Sequence, residues 1–181
     1  MANEYLGYYA LLTTQDNKGF VGSILVINKE GKPEEFRVTY AVKPSSLQEI
    51  LYGESLVPHV GIELCGKPLY GALEHRLAAL LVYDARLLGL GDEIDCLTAC
   101  VKGENDTPPL LAEGEQAHKV HSRDGVFQPI VVQYPRSYNL DRQRQTELVL
   151  QKYMDAFDLI EPFHRIGVAI KALQQQDQRF N

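Results

Sequence analysis

Tryptophan is absent from this 181-residue chain, and cysteine occurs only three times. An odd number of cysteines in a chain this long does not read as a disulfide framework. The expectation is free, buried thiols in a reducing cytoplasm. Long apolar runs are lacking as well. The longest, Leu77–Tyr83, falls far short of the ~20 residues that a membrane helix needs, so no membrane partner is expected. The start, Met1-Ala2-Asn3-Glu4-Tyr5, has no basic or apolar leader, and no signal peptide is expected. The sequon Asn105-Asp106-Thr107 is then without glycosylation. Basic excess is missing too: 18 Lys+Arg stand against 24 Asp+Glu, giving −6. Nucleic-acid binders usually carry a basic patch or stripe, so this charge does not indicate nucleic acid as a partner.

Several catalytic signatures are also absent. Gly31-Lys32 and Gly66-Lys67 are each followed by proline rather than by the hydroxyl of a phosphate-binding loop. Gly89-Leu90-Gly91 lacks the third glycine of a dinucleotide fingerprint. There is no Gly-x-Ser-x-Gly elbow, no His-Glu-x-x-His and no paired Cys-x-x-Cys. No cofactor is expected from these patterns.

What is present is an ordinary globular composition, 45% hydrophobic and 23% charged. A chain of this length buries about 70% of its unfolded surface and folds without disulfide or metal. Tyr5–Thr14, Phe20–Asn28 and Glu35–Val42 read as strands joined by short turn-rich links. Phe20–Asn28 is apolar on both faces, which suggests a central strand. Glu35–Val42 alternates, with Phe36, Val38, Tyr40 and Val42 on its expected inner face. Ser46 and Glu49 have capping-box spacing for a helix ending near Gly53. Residues 55–75 favour a helix kinked at Pro68, with paired strands as the alternative. Ala78–Tyr83 reads as a buried strand, followed by a turn capped by Asp84, and Ile94–Val101 as another strand. Arg123-Asp124-Gly125 marks a hairpin, with Pro129 demoting its second strand. Helices are expected over about 141–157, capped by Asn139, and again after Asp158 and Pro162.

The expected fold class is α+β: a mixed, largely antiparallel sheet beginning with a three-stranded meander, with a C-terminal helical hairpin packed on it. Residues 1–138 would form the sheet unit, including an acidic loop at 103–116, and residues 139–181 a helical segment of the same domain. The order of three antiparallel strands, a helix and a further strand resembles that of RNase H-like nucleases, at the level of fold. In that family the first strand supplies a catalytic aspartate. Here Tyr5–Thr14 holds no carboxylate, and Asp16 lies beyond it in a turn. No site residue is therefore carried over.

Asp84 is the leading single carboxylate, because open α/β sheets place ligand groups at the carboxyl ends of their strands. With Asp92, Glu93 and Asp95, and with Glu63, it could make an acidic cluster for a divalent cation. The alternative is a turn cap with solvated neighbours. Cys96 and Cys100 read as plain buried thiols, and His118 and His121 as surface residues of a hairpin. Two functions follow. The first is a non-catalytic protein-interaction module, or a subunit of a cytoplasmic multi-protein assembly, docking another protein chain through Leu110 and Leu111 of the acidic loop. The second is a metal-dependent phosphoester hydrolase of nuclease type built on Asp84.

Overall fold

Apolar residues on both faces of a strand require cover on both sides of the sheet. The computed structural model, which describes residues 5–106 and 117–181, supplies that cover. Strands β1 (Tyr5–Thr13), β2 (Phe20–Ile27) and β3 (Pro33–Val38) form the antiparallel meander. Strands β4 (Leu77–Val82) and β5 (Thr98–Gly103) extend it in parallel from β1. The hairpin of β6 (His118–Val120) and β7 (Ile130–Gln133) closes the far edge. The seven strands lie in the order β3-β2-β1-β4-β5-β7-β6. This is the expected mixed, mostly antiparallel sheet that opens with a meander.

One layer covers the face of Leu6, Tyr8, Val21, Leu81 and Val101. It is a helical hairpin: α5 (Leu140–Met154) brings Leu150 and Tyr153, and α6 (Glu161–Gln176) brings Ile166 and Ile170. Before α5, Asn139 accepts the Arg142 N–H as a cap, as expected. The opposite face, with Tyr9, Ile24, Val26, Leu80 and Val82, is covered by a long helical run. That run contains α1 (Ser46–Tyr52), a turn α2 (Leu56–Pro58), a π-helix over His59–Gly66 and α3 (Lys67–Gly71). The short α4 (Leu90–Glu93) follows β4. Among the described residues no helix is long and apolar enough to cross a membrane.

Three local expectations change. The capping box of α1 is formed by Ser45 and Gln48, one residue earlier than Ser46 and Glu49; the two pairs share the same spacing. The helix over 55–75 does form, but a widened π segment replaces the kink at Pro68. Gly66 packs onto the Gly61 carbonyl there, and Pro68 falls in the first turn of α3, where its missing N–H is tolerated. The expected strand Glu35–Val42 forms as Pro33–Val38; in it the Glu35 side chain is buried and Phe36 is exposed, as is Tyr40 beyond its end. Edge position explains this. Alternation assigns the faces within β3, where Val38 joins the helical-hairpin side and Glu35 meets His75 and Glu74 on the other, but it fails beyond the strand, where Val42 packs with the opposite cluster.

Candidate functional site

Strands β1, β4 and β5 run parallel, so their carboxyl ends share one rim of the sheet, the place where α/β sheets bind ligands. Tyr9 pairs with Val82, and Val82 with Cys100. Two residues further along each chain come Leu11, Asp84 and Lys102. A cleft of about 460 Å³ opens at this rim, walled by Leu11 and Leu12 of β1, Tyr83 and Asp84 beyond β4, and Phe163 and His164 of α6. Tyr83 and Phe163 touch with ring centroids 5.4 Å apart. The cleft is thus mostly apolar and aromatic, with one carboxylate and one imidazole on its wall.

Asp84 leaves β4 in extended conformation and caps the 3-10 turn Ala85–Leu87, accepting the Arg86 N–H at 2.9 Å. The Arg86 guanidinium closes on the same carboxylate, with Nε 3.0 Å from both oxygens and an amino group 2.6 Å from Oδ2. Burial opposes ionisation of Asp84, but Arg86 outweighs it and Lys102 helps, so its pKa lies below the ordinary value. Lys102 sits over the Tyr83 ring, 5.0 Å from the centroid. Asp106 accepts the Tyr83 hydroxyl at 2.8 Å and the Gly103 N–H at 2.6 Å. Burial, aided by this anionic acceptor, pushes Tyr83 up to about 12. Burial also lifts the Cys96 and Cys100 thiols to about 12, so neither is an activated nucleophile at neutral pH.

The other expected acids do not join Asp84. Asp92 accepts the Ser137 hydroxyl, and Glu93 and Glu63 share Lys67, each at 3.1 Å. Asp95 lies at the opposite end of the strands, in a cavity with Leu77, Ala78, Asn139 and Arg142. Among the described residues no three His, Cys, Asp or Glu side chains are grouped to hold a metal ion. Leu110 and Leu111 lie outside the described residues. Sequence reading missed Leu11, Phe163 and His164. The histidine looked isolated because α6, far along the chain, carries it to the rim.

The seven-stranded order with its parallel centre, covered by helices on both faces, defines a mixed α/β fold. Human ENDOV shares it: the match covers 96% of this chain and 85% of that one at a TM-score of 0.54, with 12% sequence identity. Two structures of Ciona intestinalis endonuclease V in complex with inosine-containing DNA also match, each covering 82% of this chain at TM-score 0.42. They cover 76% and 77% of those chains, with 14% and 15% identity. No protein-family model and no curated protein matches. The likeness corrects two expectations. The expectation of a non-catalytic interaction module is corrected, since the fold it was placed on matches that of human ENDOV. Setting nucleic acid aside on net charge is corrected as well, because whole-chain charge does not describe a local rim.

Proposed function

We propose that this protein acts on nucleic acid as a phosphoester hydrolase, at the cleft where β1, β4 and β5 end. The observation that carries the reading is Asp84, a carboxylate at the carboxyl end of central strand β4, beside a cleft and flanked by Arg86 and Lys102. Phosphoryl transfer needs an oriented nucleophile and positive charge facing the phosphoryl oxygens. Asp84 stays ionised at neutral pH and can accept a proton from a water that attacks phosphorus as the ester P–O bond breaks, the leaving oxygen taking its proton from solvent. Arg86 and Lys102 supply the cations. The faces of Tyr83 and Phe163 offer stacking surfaces to bases. The three unpaired thiols support a reducing, cytoplasmic setting.

The test is cleavage of end-labelled single-stranded and duplex DNA and RNA, with and without added magnesium or manganese, by wild type and Asp84→Asn. Asparagine caps a turn nearly as well as aspartate, so folding should be preserved, which circular dichroism checks. The expected result is cleavage by wild type and a loss of about 10²-fold or more in the variant. Equal rates in the two proteins, or none above background in wild type, would overturn the proposal.

A further inference from the structure

We infer that Arg86, beside the cleft through its contact with Asp84, is the residue that binds phosphate there, and that the free protein holds it on Asp84 until nucleic acid takes it away. The inference rests on the hydrolase reading above and adds the step that opens the site. A carboxylate offers about four lone-pair positions. Around Asp84 three N–H donors make four contacts: the Arg86 backbone at 2.9 Å, Nε shared between the two oxygens at 3.0 Å each, and the terminal amino group at 2.6 Å. In this state Arg86 competes with water for the acceptor positions of Asp84. Three of the four contacts come from one guanidinium.

That guanidinium is poorly secured. The Arg86 side chain is 60% exposed and that of Asp84 37%. Ion pairs this exposed are weak. A phosphodiester presents two oxygens in the geometry that a guanidinium binds bidentately, so a backbone phosphate is a strong competitor for Arg86. When Arg86 turns to the phosphate, the backbone N–H remains on Oδ1 and keeps the carboxylate aimed. The released positions then become free for water. Lys102, level with Asp84 on β5, keeps a second cation at the rim. Substrate binding and exposure of the base are thereby one event, and an empty cleft does not hydrolyse.

Fluorescence anisotropy with a labelled single-stranded oligonucleotide, over a salt series, tests this. Arg86→Gln should bind about tenfold more weakly and lose about 0.7 from the slope of log affinity against log salt, the value for one phosphate contact to a single strand. Asp84→Asn should bind about fivefold tighter, because Arg86 has lost its internal competitor. Removing a negative charge could tighten binding by itself, so the double variant decides. Under exchange, the gain from Asp84→Asn vanishes when Arg86 is already Gln; under a simple charge effect it persists and the inference falls. Asp84→Ser, which also caps the turn, should repeat the result if Asp84→Asn folds poorly. If wild type neither binds nor cleaves, the hydrolase reading fails as well. If it does both while Arg86→Gln keeps its affinity and slope, only the exchange is refuted.

Discussion

Replacing Gly66 by alanine sets two physical effects against each other. Gly66 is buried and has ordinary helical dihedrals, φ −63° and ψ −52°. On propensity alone, alanine should stabilise this position by about 1 kcal/mol. Packing argues the reverse. A Cβ at Gly66 would lie 2.7 Å from the Gly61 carbonyl oxygen and 2.9 Å from Leu90 Cδ2. The leucine methyl can rotate aside. The carbonyl cannot, because it belongs to the π-helix backbone and accepts the buried Tyr9 hydroxyl. Overpacking of this kind costs about 1–3 kcal/mol, and a hydroxyl deprived of its acceptor about 1–3 more if the carbonyl moves. After the propensity gain, the expected loss is about 1–5 kcal/mol when the carbonyl is displaced. For a protein of this size each kcal/mol should lower Tm by about 2–4 °C. Urea denaturation gives the measurement, with an unchanged m-value as the check that only stability moved. Gly71→Ala is the control, since nothing lies within 4 Å of its added Cβ, and it should be neutral or stabilising. A Gly66→Ala protein more stable than wild type by about 1 kcal/mol would refute the tight π-turn and its clamp on Tyr9.

Glu35 should impose an acid-dependent loss of stability. Burial works against its charge, but hydrogen bonds from His75, Arg37 and the backbone N–H groups of Glu74 and His75 prevail and hold its pKa at about 2. Its folded value lies below its unfolded one, so its stabilisation is present above about 4.5 and lost as pH falls toward about 2. After allowance for solvent screening the effect is of order 1–2 kcal/mol. Chemical denaturation of wild type and Glu35→Gln should show a gap at pH 6 that closes by pH 2, and a constant gap would refute the assignment. Tyr8 is fully buried, and its hydroxyl has no hydrogen-bond partner among the described residues. Its ring already packs edge-on against Phe163 at 5.0 Å. Tyr8→Phe should therefore gain about 1 kcal/mol and raise Tm by about 2–4 °C; a lower Tm would reveal a partner for the hydroxyl.

Local pattern made much of the sheet legible. Two-faced burial identified β2 as central, and Asp84 announced itself as a charge just past a buried apolar strand. Where the reading slipped, a nonlocal partner decided. Glu35 looked like the solvent side of an alternating strand, yet His75 and Arg37 make its burial tolerable. The expected strand Ile94–Val101 begins only at Thr98, because the ladder to β4 starts at the Leu80–Thr98 pair. Asp92, Glu93 and Asp95 are near neighbours in sequence, which suggested one cluster with Asp84. Each instead meets its own surroundings, Ser137, Lys67 or the cavity at the amino end of the strands. No spacing rule could bring His164 and Phe163 to the rim, because α6 reaches it through tertiary packing alone.

The register across the rim argues for the kind of chemistry this fold can support here. At the level of Asp84 the adjacent strands present Leu11 and Lys102, so the three parallel strands hold one carboxylate between an apolar and a cationic neighbour. A site that gathered several acids would repel phosphate until a metal neutralised it. At this rim Arg86 offsets Asp84, and Lys102, across the sheet, stands against Asp106 on the Tyr83 hydroxyl. The overall −6 therefore misleads about the place that matters, because exposed charges more than about 10 Å away are largely screened at moderate salt. Affinity for nucleic acid at such a rim should depend on two cations only, giving a shallow salt slope. A steep slope, of the kind produced by many phosphate contacts, would mean that nucleic acid tracks some other face and that the cleft is not where it is read.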